Sequence, residues 1–228
     1  MDDGSSNKNA KIINLLETKA RLKQQVYTNT CNLFEDVKEI LHEMSGEIND
    51  SLTNSRLTKV EYRDRGKFEA QIQVSTDMLI FTMHTNVFQF DAGHPIFQNE
   101  YIKENQNNSY CGVINIYNFL ADSFKYNRLT DEGYLIGRIF INHENHIFLE
   151  CGEQTKYSNE NFGKNVVDRE ALTEIIVAAI EHSIEFDLLV PPYDKFQRVA
   201  VEQMSTRMEN SQIKTGKRLG YLLDNEEK

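Results

Sequence analysis

The sequence predicts an α+β fold: one antiparallel sheet of about five to seven strands, with helices on one face and a long helix at the N-terminus. Two observations carry that expectation. Apolar residues recur at intervals of three, four and seven near both ends of the chain and at intervals of two in between. The strands also come in runs and do not alternate with helices, which favours α+β over a parallel α/β sheet.

The first segment reads as helix from Ala10 to Met44. Ile12, Leu15, Leu16, Leu22 and Val26 form one stripe, and Leu33, Val37, Ile40, Leu41, Met44 and Ile48 form a second. A helix of about 35 residues would be ~50 Å long at 1.5 Å per residue, more than the width of a domain this size. It either breaks at Thr28-Asn29-Thr30, where helix propensity is poor, or its first half projects and meets a second copy of the chain. Lys19 and Asn29 interrupt the stripe, so a regular heptad coil is not expected. Gly46 is placed to end the helix.

After residue 59 the period falls to two. Val60 and Tyr62 alternate with charged residues, Arg65-Gly66 makes a turn, and Phe68, Ala70, Ile72 and Val74 alternate with polar neighbours. Met78 to Met83 is apolar on both faces and suits a central strand. Val87 to Phe90 continues it or adds another, and Ile96 to Tyr101 reads as a further strand after the Asp91–Pro95 loop. Residues 104–109 read as a surface loop. The stretch from Gly112 to Tyr126 reads as a strand running into a short helix. Tyr134 to Leu149 is a hairpin around Asn142-His143-Glu144-Asn145. Asp168 is an N-cap for a helix with Leu172, Ile175, Ile176, Ala179 and Ile180 on one face. That helix ends before Pro191-Pro192, and a last helix carries Phe196, Val199, Ala200, Met204 and Met208. The resulting division is 1–50 as an N-terminal helical segment suited to dimerisation, 51–192 as the sheet domain, and 193–228 as a C-terminal helix and tail.

Composition narrows the function classes. A formal net charge of -10 repels phosphate backbones and anionic headgroups, so neither nucleic acid nor a membrane is an expected partner. No apolar run approaches the roughly 20 residues that span a bilayer. The N-terminus lacks the apolar core of a secretory signal, and three cysteines do not make a disulfide framework. A cytoplasmic protein is the expectation. The element order and acidic balance resemble the small dimeric secretion chaperones of bacteria over roughly residues 30–187. That resemblance rests on fold order and not on a motif, and it implies a helical and sheet surface that holds an unfolded stretch of a client.

Few residues point to chemistry. His143 and His146 flank Glu144-Asn145, and a two-residue turn would set the imidazoles opposite each other, within reach of one metal ion. The plainer reading is two polar residues at an exposed turn. Asp91 and His94 have the composition of a base and its orienting group, but an Asp in such a loop more often bonds its own backbone. Cys111 and Cys151 lack the basic neighbours that activate a thiol. His84 and His182 read as structural. Lys214 to Gly220 falls short of a phosphate loop, with Ser211 where the first glycine belongs and Arg218 after the Gly-Lys. No cofactor is implied. The sequence therefore leads to a non-enzymatic, chaperone-like accessory or protein-interaction protein, acting as a homodimer through Ile12, Leu15, Leu16, Leu22 and Val26. The alternative is a metal- or small-ligand-binding protein, or an enzyme, that uses a histidine-containing cleft beside the sheet.

Overall fold

A computed structural model describes residues 3–53, 58–152, 155–164 and 166–188. The helix at the N-terminus runs without a break as α1 (Asp3–Leu15), a π-helical turn (Leu16–Ala20) and α2 (Arg21–Ser51), a rod of about 70 Å. The strands are β1 (Val60–Asp64), β2 (Glu69–Val74), β3 (Asp77–Met83), β4 (Phe88–Gln89), β5 (Tyr110–Leu120), β6 (Tyr134–Ile141) and β7 (Ile147–Cys151). Short helices α3 (Glu100–Glu104) and α4 (Ala121–Lys125) flank β5, and α5 (Arg169–Ile184) follows the sheet.

The sheet is antiparallel throughout, in the order β1-β2-β3-β5-β6-β7, with β4 pairing the start of β5. Every neighbour on the main path except the β3–β5 pair is also next in sequence, as short antiparallel connections permit. The register sets Ala70 opposite Phe81, Ile72 opposite Leu79 and Phe81 opposite Ile116. The residue-by-residue alternation thus becomes one continuous apolar face.

Both long helices cover that face. Leu33, Phe34, Val37, Ile40 and Leu41 of α2 and Leu172, Ile175, Ile176 and Ile180 of α5 pack on Ile72, Leu79, Phe81, Ile114, Ile116 and Ile139. Each such side chain contributes about 1.5–3 kcal/mol relative to exposure. The opposite face is not wholly wet. Cys111, Val113, Phe140 and Phe148 are buried there under Ile96, Ile102 and Phe162. Phe140 and Phe148 stack at 4.7 Å.

Several local expectations change. The helix does not break at Thr28-Asn29-Thr30, because Asn29 and Thr30 are buried against the sheet and their side chains have partners there or within the helix. Gly46 does not end it; α2 continues to Ser51, with Leu52 in extended backbone as its C-cap. Ile96 to Tyr101 is not a strand. Pro95 opens a 3-10 turn whose first free amide, Ile96 N–H, is capped by His94 Nδ1 at 3.2 Å, and Asn99 then caps α3. Residues 106–109 form a second 3-10 turn, with Asn108 and Ser109 buried. Asp168 caps α5 as expected, accepting from Ala171 N–H at 2.8 Å. The expected helix after Pro191-Pro192 and the basic Lys214–Gly220 stretch lie outside the described residues.

Candidate functional site

The five residues singled out on the first helix separate into two groups. Residues 9–21 are all exposed, and within them Ile12, Leu15 and Leu16 are 54%, 49% and 58% exposed, with Ile13 beside them at 53%. These four make a contiguous apolar patch on the part of the helix that precedes the body. Leu22 is half-buried, and Val26 is fully buried within its own chain. The π turn falls at the boundary between exposed and buried halves. It adds a residue to the turn and so rotates the upstream stripe relative to the downstream one. Lys19 and Lys23 turn back over the Tyr110 ring, each Nζ 5.7 Å from its centroid, and fix the point where the rod leaves the body.

The histidine hairpin is built differently from the expectation. Ile141 pairs with Ile147, and Asn142 N–H donates to the His146 carbonyl at 3.1 Å, so three residues form the turn. Asn145 takes φ 61°, the left-handed position that such a three-residue loop requires and that asparagine tolerates. His146 therefore stands opposite Asn142, and the two histidines are not cross-strand partners. His146 packs edge-on to Tyr101 at 5.1 Å. His143 faces a groove at the root of the helix, beside Lys19, Arg21 and Leu22, and its Nδ1 is buried without a hydrogen bond. Among the described residues no group of three or more His, Cys, Asp or Glu is close enough to hold a metal ion.

Asn142 organises this turn. Its Oδ1 accepts from Glu144 N–H and His146 N–H at 3.0 and 3.1 Å, and its Nδ2 donates to Tyr101 Oη at 2.7 Å. The Tyr101 hydroxyl donates to the Glu144 carboxylate. Burial, then the Glu144 carboxylate, push the Tyr101 phenol above its ordinary value. Asn29 of α2 closes the assembly, its Nδ2 donating to the carbonyls of Asn142 and His143 at 3.1 and 2.9 Å.

The other sequence candidates serve local structure. Asp91 Oδ1 accepts from Gly93 N–H at 3.0 Å, and His84 Nδ1 accepts from Asn86 N–H at 3.0 Å. Burial raises the Cys111 thiol above its ordinary value, opposite to the shift that activates a cysteine.

Sequence reasoning did not find a cleft of about 230 Å³ between β6, β7 and the second half of α5. Asn118, Gly137, Leu149, Ile175, Ala179 and His182 are among the residues that line it. One signal was present: Asn118 continues the Ile114–Ile116 alternation and so puts an amide on the buried phase of β5.

No family model, curated protein or solved structure matches this chain. The functional reading therefore rests on geometry.

Proposed function

We propose that this chain is a protein-interaction or accessory protein that works as a homodimer, joined through its N-terminal helix. The observation that carries the reading is the patch of Ile12, Ile13, Leu15 and Leu16, each about half exposed on an uncovered stretch of helix. A contiguous apolar surface of this kind marks an interaction site. A helix end of this length is marginal in water without packing, because helical stability in proteins comes chiefly from an apolar face against a partner.

A second copy is the occupant the sequence favours. Two such helices packed antiparallel at the level of Asn14 set Ile12 of one against Leu16 of the other, with Leu15 beside them, because positions three and four apart share one helix face. The patch is thus self-complementary in hydrophobicity, as a twofold interface requires.

Size-exclusion chromatography with light scattering at micromolar concentration tests the proposal. The unaltered chain is expected at twice the mass of the chain, and Leu16→Asp, at an exposed position that the fold does not use, is expected to halve that mass with an unchanged circular dichroism spectrum. A monomeric parent chain overturns the reading. So does a dimer that survives both Leu16→Asp and Ile12→Asp.

A further inference from the structure

The cleft beneath α5 belongs neither to the projecting helix nor to the histidine turn. We propose that it binds a small, uncharged, largely apolar molecule that carries one hydrogen-bond donor.

Small residues contribute to it from two elements. Gly137 of β6 and Ala178 and Ala179 of α5 all line the space, and the β5–β6 register shifts between Ile116 and Tyr117, directly beside it. Bulges of this kind bend a strand and are over-represented beside functional sites. Elsewhere on this face the core is filled by Phe81, Leu79 and Ile176 at no measurable exposure, so the cleft is a local departure from close packing. A cavity of ~150 Å³ admits a benzene ring, which places the occupant here at roughly one to two rings in size.

The lining sets the chemistry. Ile116, Leu149, Ile175 and Phe186 supply apolar walls, and among the described residues neither Lys, Arg, Asp nor Glu lines the cleft. A charged ligand would lose its hydration there and gain no counter-ion, so phosphates and carboxylates are disfavoured. One polar atom stands out. Asn118 is 2% exposed, and its Oδ1 accepts no hydrogen bond. Buried acceptors are rarely left in that state. A ligand N–H or O–H seated in the cleft supplies the missing donor.

The probe for the test is indole, an uncharged two-ring molecule with one N–H whose emission shifts to the blue in apolar surroundings and stands clear of a chain without tryptophan. With the full chain, a saturable blue shift at one probe per chain is expected. The N-methyl analogue, which lacks the donor, is expected to bind about tenfold more weakly, the loss of one hydrogen bond to a buried acceptor. Ala178→Phe, at a position exposed on α5, fills the mouth and is expected to weaken the probe at least tenfold at unchanged unfolding midpoint. Leu16→Asp is expected to leave binding intact. Absence of a saturable shift overturns the proposal. Equal affinity for the two probes overturns the role of Asn118. Loss of binding in Leu16→Asp with retention in Ala178→Phe moves the site to the projecting helix and overturns it as well.

Discussion

Single polar residues in buried places decide much of this structure. Asn29 shows how: it lies in a helix where its propensity is poor, yet it donates to two carbonyls of a turn 113 and 114 residues away. Cys111 and Tyr101 give a measurable consequence. Both sit on the second sheet face, and burial raises both above their ordinary values of 9.0 and 10.0. In the unfolded chain each ionises near its ordinary value, while in the folded chain each keeps its proton. The unfolded state then binds fewer protons, and stability falls as pH rises. The stabilisation is fully present below about pH 9 and falls by up to about 1.4 kcal/mol per pH unit above the ordinary value of the fully buried Cys111, and by less for Tyr101, which solvent partly screens. Urea unfolding between pH 8 and about pH 10 reads this directly. Cys111→Ala is expected to lower stability at every pH and to flatten the slope above the thiol's ordinary value. An unchanged slope in that variant removes Cys111 as its source.

Elements meet where side chains are short. Gly112 of β5 lies under α2, and a Cβ added there would stand 1.9 Å from Thr30 Oγ1 and 2.8 Å from Thr30 Cβ. Gly112→Ala is therefore expected to cost about 1–3 kcal/mol through overpacking, read as a lower urea midpoint at unchanged m-value. Because the clash reaches the Thr30 Cβ, Thr30→Ser is expected to leave the penalty in place and Thr30→Gly to recover part of it; a midpoint indifferent to Gly112→Ala would show that helix and strand stand further apart. This contact also explains what the sequence did and did not make legible. Strands β1 to β3, the β5–α4 junction, the hairpin position and the Asp168 cap were readable, since each depends on alternation or on a side chain bonding its immediate neighbours. The continuity of the helix through Asn29 and Thr30 was not. The partners that hold it there are remote in sequence, and tertiary contacts override weak propensity. The segment 96–101 misled because its apolar residues bury as a turn capped by His94 and Asn99 and not by alternation. The turn length that separates His143 from His146 rests on one left-handed residue, Asn145, which asparagine content alone did not place. The cleft was half legible: Asn118 broke the apolar phase of β5, but the gap beside it is closed by residues of another element, Ala178 and Ala179 of α5.

At the scale of the whole molecule, a helix of about 70 Å serves two purposes along its length. Its second half closes the sheet, and its first half leaves the body beyond Tyr110. Among residues 9–23 the exposed charges are Lys11, Lys19, Arg21 and Lys23 against Glu17, on a chain of net charge -10. Lys19 and Lys23 are turned onto Tyr110, which leaves Lys11 and Glu17 to flank the apolar patch. Lys11 and Glu17 stand six positions apart, on opposite edges of the apolar face. The proposed antiparallel pairing therefore sets Lys11 on the same edge as Lys11 of the other copy, and Glu17 on the same edge as Glu17. A parallel pairing in register would set Lys11 of each copy on the edge that carries Glu17 of the other. Charge reversal separates the two arrangements. In the antiparallel dimer Lys11→Glu exchanges one like-charged edge for another, and the dissociation constant is expected to stay within about twofold of the parent value. In a parallel dimer the same change turns two attractions into two repulsions. Exposed pairs contribute a few tenths of a kcal/mol each, so the dissociation constant would rise about tenfold, and Lys11→Glu plus Glu17→Lys would restore it. These effects shrink at high salt, because the charges are exposed and screened. Sedimentation equilibrium of the four variants, at low and high salt, measures this. A tenfold loss in Lys11→Glu that the double variant recovers excludes the antiparallel pairing, even where a dimer is present.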